Sequence, residues 1–145
     1  MALPLALFTL VVIGALVAAA FASAHLEQRI GQNALYAVQA AGAAEVGTAA
    51  VVGGWEARGL SLLAPGESRV LSGETLPGRS GYTPTVRRLN GQLFLVQVDG
   101  VRTDADMRPL ARRRLRLLLR SADSALEGVA PVRPLSSRAW TPVPP

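Results

Sequence analysis

The chain contains no cysteine, no lysine and a single histidine, His25. Without cysteine there is no disulfide frame, no thiol chemistry and no thiolate metal site. Without a second histidine the usual transition-metal ligand sets are missing as well. Aromatic residues occupy only 5% of the 145 positions, while Ala, Gly and Pro are plentiful. Asp104 and Asp106 share a loop-like stretch with no third ligand beside them, and the EF-hand spacing of a calcium loop does not occur. No G-x-S-x-G or lysine-paired serine motif is present, and the Gly-rich segments lack the lysine and the strand-to-helix setting of a phosphate cradle. The expectation is therefore no catalytic, cofactor-binding or metal-binding residue, and no enzyme. His25 reads as an interfacial or helix-surface residue.

What the chain does have is arginine. All 15 basic residues are Arg, against 10 carboxylates, for a formal net charge of +5. Codon bias of a GC-rich genome explains that choice first, and bidentate recognition second. A surplus of this size is compatible with DNA or another anionic surface without demanding one.

None of this charge falls in residues 1–24, MALPLALFTLVVIGALVAAAFASA. At about 1.5 Å per residue this run is roughly 36 Å long as a helix, enough to cross a hydrocarbon core of about 30 Å. One reading is a secretory signal cleaved after Ala22-Ser23-Ala24, although the positive n-region is absent. A second is a plain membrane anchor. A third, a buried helix of a soluble protein, fits poorly with a run that has no polar face. A fourth arises because the run passes without a break into HLEQRIGQNALYAVQAAGAAEVGTAAVVGGW. From His25 to Ala50 there is no proline, and apolar residues recur at Leu26, Ile30, Ala34, Val38, Ala41, Val46 and Ala49. That spacing predicts an amphipathic continuation of the apolar helix, stopped by Gly53-Gly54. Gly14, Gly31, Gly42 and Gly47 would each weaken it by about 1 kcal/mol relative to Ala.

This layout resembles the type IV pilins and their pseudopilin relatives, and more narrowly the minor-pilin group of pilus assembly. The matching residues are Ala2-Leu3, Leu7, Val11 and Leu16, then Glu27-Gln28-Arg29, Asn33 and Ala37-Val38-Gln39-Ala40-Ala41. They cover about the first 54 residues. The resemblance implies that Met1 is the processed, N-methylated first residue. It also implies that Leu3, Leu5, Leu7, Val11, Gly14 and Leu16 pack in a filament core, with Gly14 the place where the helix can unwind on assembly. One departure matters: major pilins carry Glu at the fifth mature position, where this chain has Leu5. The implied partners are identical or related pilins, an inner-membrane assembly platform, an assembly ATPase and prepilin peptidase. The implied location is the inner membrane before assembly and an extracellular filament after it.

Beyond Trp55 the pattern becomes that of strands and turns. Ser68–Ser72 predicts a short strand, closed by Gly73 and the Leu76-Pro77-Gly78 turn. Asn90-Gly91 between Tyr82–Leu89 and Gln92–Val98 predicts a hairpin with a two-residue type I′ turn, setting Leu89 opposite Gln92, Arg87 opposite Phe94 and Val86 opposite Leu95. Asp99-Gly100 predicts the next turn. Over residues 108–120, RPLARRRLRLLLR, period two places Leu115, Leu117 and Leu119 on one face and Arg112, Arg114, Arg116 and Arg120 on the other. Those arginines read first as a solvated strand face and second as a polyanion contact, with Tyr82 and Phe94 near enough to stack on bases. Residues 121–145 carry five prolines and one aromatic residue, Trp140, and read as an extended tail. Trp140 would dock on the sheet or reach a neighbouring subunit.

The expected fold class is α+β. A helix of about 50 residues packs by its second half, through Leu26, Ile30, Val38 and Ala41, on an antiparallel sheet of three or four strands. The expected organisation is an apolar helix over 1–24, its amphipathic continuation over 25–54, a β domain over 55–120 and a Pro-rich tail over 121–145. The expected function is that of a structural filament subunit. A minor or tip pilin that primes assembly or binds a ligand such as DNA is the first alternative. A secreted binding domain released after Ala24 is the second.

Overall fold

The computed structural model describes residues 2–121, 132–135 and 140–143, with side chains for all of these except 2, 3, 5 and 140–143. The chain divides into two compact units, residues 1–35 and 36–145. Helix α1 (Ala2–Gly53) is unbroken. Ala is its commonest residue, and its one proline, Pro4, sits in the first turn, where no intrahelical N–H bond is lost. The last helical turn closes with Gly54 N–H donating to Ala50 O at 3.1 Å. Within the first unit every described side chain of α1 is exposed.

The second unit begins with the final turns of α1 and continues into one antiparallel sheet of seven described strands. Three are long: β3 (Ser80–Arg88), β4 (Leu93–Thr103) and β5 (Pro109–Ser121). Four are short: β1 (Ser68–Val70) and β2 (Glu74–Leu76) pair with β3, while β6 (Val132–Pro134) and β7 (Trp140–Val143) pair with β5. The fold class is α+β, with the helix on an antiparallel sheet. β1 lies within the strand expected at Ser68–Ser72; the sheet is wider than expected because β2, β6 and β7 are too short to announce themselves by alternation. The extended tail supplies one edge of the sheet through the backbones of β6 and β7. The side chain of Trp140 lies outside the described residues.

Register decides which side chains meet the helix. Val86 pairs with Val96, and Val96 with Leu117; Pro84 pairs with Val98, and Val98 with Leu115. With Tyr82, Phe94 and Leu119 these residues form the inner face, against which Val51 and Trp55 complete the core. Trp55 meets Phe94 edge-on, with centroids 5.1 Å apart and planes at 88°. Its Nε1–H donates to Ser61 Oγ at 3.1 Å, so the indole is buried with its polar edge satisfied. Arg88 lies 5.2 Å from the Phe94 centroid and donates to Ser61 O, Leu63 O, Asn90 O and Gly91 O. One guanidinium thus fastens the short 3₁₀ turn Leu60–Leu62 to the β3–β4 hairpin.

Three expectations are corrected. The hairpin is shifted by one residue: Arg88 faces Phe94, Arg87 faces Leu95 and Val86 faces Val96. The turn is not type I′, because neither Asn90 nor Gly91 has positive φ. Leu89 N–H bonds Leu93 O at 2.8 Å, so three residues form the loop, and the Asn90 carboxamide oxygen accepts from Gln92 N–H and Leu93 N–H. Asn90 acts here through its side chain rather than through a left-handed backbone. The Asp99-Gly100 turn does not exist either, since β4 runs straight through it to Thr103.

The third correction explains the second. Of the residues expected to pack on the sheet, Leu26, Ile30 and Val38 are exposed, at 59%, 67% and 68%, and Ala41 is only half-buried. The buried stripe is Ala40, Ala43, Ala44, Gly47, Thr48 and Val51. It consists of small residues because the backbones nearly touch. A Cβ on Gly100 would overlap Ala40 O and stand 2.7 Å from Ala44 N. A Cβ on Gly47 would stand 2.6 Å from Tyr82 Cγ and 2.8 Å from Val98 Cγ1. Gly100 is therefore a strand glycine required by a helix lying on it, not a turn residue. At this contact Gly100→Ala is expected to destabilise the fold by about 2–3 kcal/mol. Gly42→Ala, where a Cβ meets nothing within 4 Å, should instead stabilise by about 0.5–1 kcal/mol through helix propensity. Denaturant titrations of the two variants check the contrast.

Candidate functional site

Two surfaces hold the residues that sequence reasoning singled out. The first is the apolar stretch of α1. Leu7, Val11 and Leu16 are 58%, 64% and 66% exposed, and Gly14 has open space where a Cβ would stand. Phe8, Leu10, Ile13 and Phe21 are exposed beside them. Met1 and the side chains of Leu3 and Leu5 lie outside the described residues. By length and composition this helix can cross a membrane, with a mean hydropathy of 2.4 in its most apolar window. Its apolar character does not end where the sheet begins. On the last turns of α1, Val38 and Val46 stay 68% and 48% exposed while Ala40, Ala44 and Gly47 are buried. This part of the helix thus buries its small residues and leaves Val38 and Val46 exposed beside Gln39 and Glu45. The signal missed in the sequence was size: residues at 40, 43, 44, 47, 48 and 51 recur at helical spacing, but they are Ala, Gly, Thr and Val.

The second surface is the outer face of the sheet, opposite the one that carries the helix. Arg112, Arg114, Arg116 and Arg120 share it, as the alternation of β5 predicts. The register adds Arg87, in the row of Leu95 and Leu118, and Arg133, directly opposite Arg120. Asp99 is the carboxylate on this face of the three long strands. It accepts from Arg114 Nε at 2.5 Å and from Arg114 Nη2 at 3.2 Å. That bond, reinforced by the opposite charge, holds the Arg114 guanidinium above its already high range. Both partners are well exposed, so the pair contributes at most about 1 kcal/mol. Arg116 donates to Gln97 Oε1 at 3.2 Å and Arg120 to Gln92 Oε1 at 2.9 Å. Glutamine orients a guanidinium without neutralising it. An open groove of about 610 Å³ lies at one end of this face, lined in part by Thr83, Asp99, Val101, Arg112 and Arg114.

Tyr82 and Phe94, expected near the arginines as stacking partners, belong to the inner face and are buried. The outer face presents phosphate-binding chemistry with no ring among its described side chains. Among the described residues no three His, Asp or Glu side chains converge on a point that could hold a metal ion. Compared with protein-family models, curated proteins and solved structures, the chain matches none.

Burial and one hydrogen bond make Tyr82 a reporter of the inner face. Its hydroxyl donates to Glu74 Oε2 at 2.8 Å. That bond first, and burial second, raise its pKa above the usual phenol value of 10.0. Folding therefore favours the protonated phenol. Its stabilisation is fully present below pH 10.0 and is lost as pH rises through the higher folded-state value. Because the chain has neither lysine nor cysteine, few other groups obscure this limb. Melting temperatures of wild type and Tyr82→Phe between pH 8 and pH 11.5 should converge at the alkaline end, wild type falling more steeply.

Proposed function

We propose that the chain is a structural subunit of a type IV pilus-like or type II secretion-like filament. The observation that carries this reading is α1: one helix that is apolar and exposed over its first turns and buried on an antiparallel sheet over its last. An exposed apolar surface of this extent requires another apolar phase. Before assembly lipid supplies it, and after assembly the same helices of neighbouring subunits do. The small residues Gly14 and Gly31, with no neighbour in reach of a Cβ, suit close approach between such helices. Val38 and Val46 add two exposed apolar side chains on the sheet-bearing turns.

The mechanism is mechanical. Lipid contacts and helix contacts are nearly equal as apolar environments, so exchanging one for the other yields little free energy. Extraction from the inner membrane therefore needs an assembly platform and an ATPase, with a prepilin peptidase acting first. The sheet unit forms the outer wall of the extracellular filament.

Leu5 favours a minor or tip subunit within this reading. A major subunit uses a carboxylate at that position to meet a neighbour's terminal amine, and an amine buried without a partner is costly. Leu5→Arg should remain in the membrane fraction, because an arginine near a helix end can reach the interface. It should be absent from filaments sheared off the cell surface, whereas Leu5→Glu should be incorporated. Sheared filaments holding Leu5→Arg at the wild-type copy number would refute burial of this helix in a filament core.

A further inference from the structure

Among the described residues, the outer face of the sheet concentrates positive charge. Six arginines point to it (Arg87, Arg112, Arg114, Arg116, Arg120 and Arg133) against one described carboxylate, Asp99. The described residues elsewhere hold eight arginines and seven carboxylates. They are nearly balanced, and the face is not. Its arrangement also works against the fold. Arg120 and Arg133 are directly opposed across β5 and β6, and like charges in that position are destabilising. Arg112, Arg114 and Arg116 follow one another at every second residue of β5, about 7 Å apart on one side of a strand. A face that only had to be soluble would mix the two signs, as the other described residues do.

We infer that this face binds the phosphate backbone of duplex nucleic acid without regard to sequence, a role independent of the filament reading. Guanidinium groups match phosphate oxygens in pairs of parallel hydrogen bonds, which ammonium groups do not. Residues 112 to 120 span roughly 27 Å along β5, and β3 to β6 adds about 14 Å across. That area faces about eight base pairs at 3.4 Å each. Stacking on unpaired bases is not available, because Tyr82 and Phe94 are buried on the opposite face and the face itself offers no ring among its described side chains. Recognition therefore rests on charge, and five arginines bring it undiminished. Arg114 is the sixth, held by Asp99.

The test is fluorescence anisotropy of a labelled 20-base-pair duplex with the full chain in non-ionic detergent micelles, at salt from 25 to 200 mM. With five phosphates engaged, affinity should fall about 500-fold between 50 and 200 mM salt. It should be equal for two duplexes of unrelated sequence. The triple variant Arg112→Gln, Arg116→Gln, Arg120→Gln should retain only about a 12-fold dependence over the same range. Asp99→Asn, which releases Arg114 and removes the face's carboxylate, should bind more tightly than wild type. A merely structural ion pair would give no such gain. Arg29→Gln, outside the face, should leave the curve unchanged. Absence of binding at 25 mM salt overturns the inference. So does a triple variant, folded by circular dichroism, with the wild-type salt dependence. Equal affinity for a carboxylate polymer such as polyglutamate of matched length would also overturn it, assigning the face to acidic polymers in general.

Discussion

The fold depends on two backbones that leave no room for a side chain between them. The turn of α1 at Ala40–Ala44 lies on Gly100 of β4, and Gly47 lies on Tyr82 and Val98. Neither approach survives a Cβ, so both glycines are required by space rather than by backbone angle. Once the helix is this close, only Ala, Gly, Thr or Val fits beneath it, and the larger side chains must turn elsewhere. Val51 and Trp55, beyond the tightest point, reach into the core beside Phe94 and Leu117. Val38 and Val46 remain outside. The exposure of these two valines is thus a consequence of how the buried side packs.

Arg102 secures the same contact from its margin. It donates to Gln39 Oε1 at 2.7 Å, lies 5.8 Å from the Tyr36 centroid and bonds Arg79 O at 3.1 Å. Arg88 does comparable work at the other end of the sheet. These two arginines spend their donors inside the fold. The outer-face arginines lean on Gln97, Gln92 and Asp99, partners that orient them while leaving most of the charge to solvent. The chain has a single type of basic residue, and it serves two purposes distinguished by the partners it meets.

How much of this was legible in the sequence follows from which physical signal each element sends. The apolar run and the helix stop at Gly53-Gly54 were plain, as was the alternation of Leu and Arg along β5. Period, length and punctuation carry those features. The Asn90-Gly91 hairpin was recognised, but its register was not, because Asn can shape a turn through its carboxamide as well as through positive φ. One residue of difference moves every side chain to the other face. Asp-Gly marks turns locally and so points to a turn at Gly100, whereas the reason for this glycine lies some 60 residues away in α1. The packing stripe was misplaced for a related cause. Hydrophobicity favours Leu26, Ile30 and Val38, while close approach selects Ala40, Ala44 and Gly47. Arg87 and Arg133 joined the basic face only through strand pairing, which no local pattern announces.

In the filament we propose, α1 leaves lipid for other copies of itself while staying joined to its sheet. The most direct measurement is the mass of the N-terminal peptide of this chain in filaments sheared from the cell surface. The expected result is a peptide that begins at Met1, carries a methyl group on its amine and runs on intact past Ala24. A chain beginning at His25, recovered from the soluble extracellular fraction and absent from filaments, would contradict it.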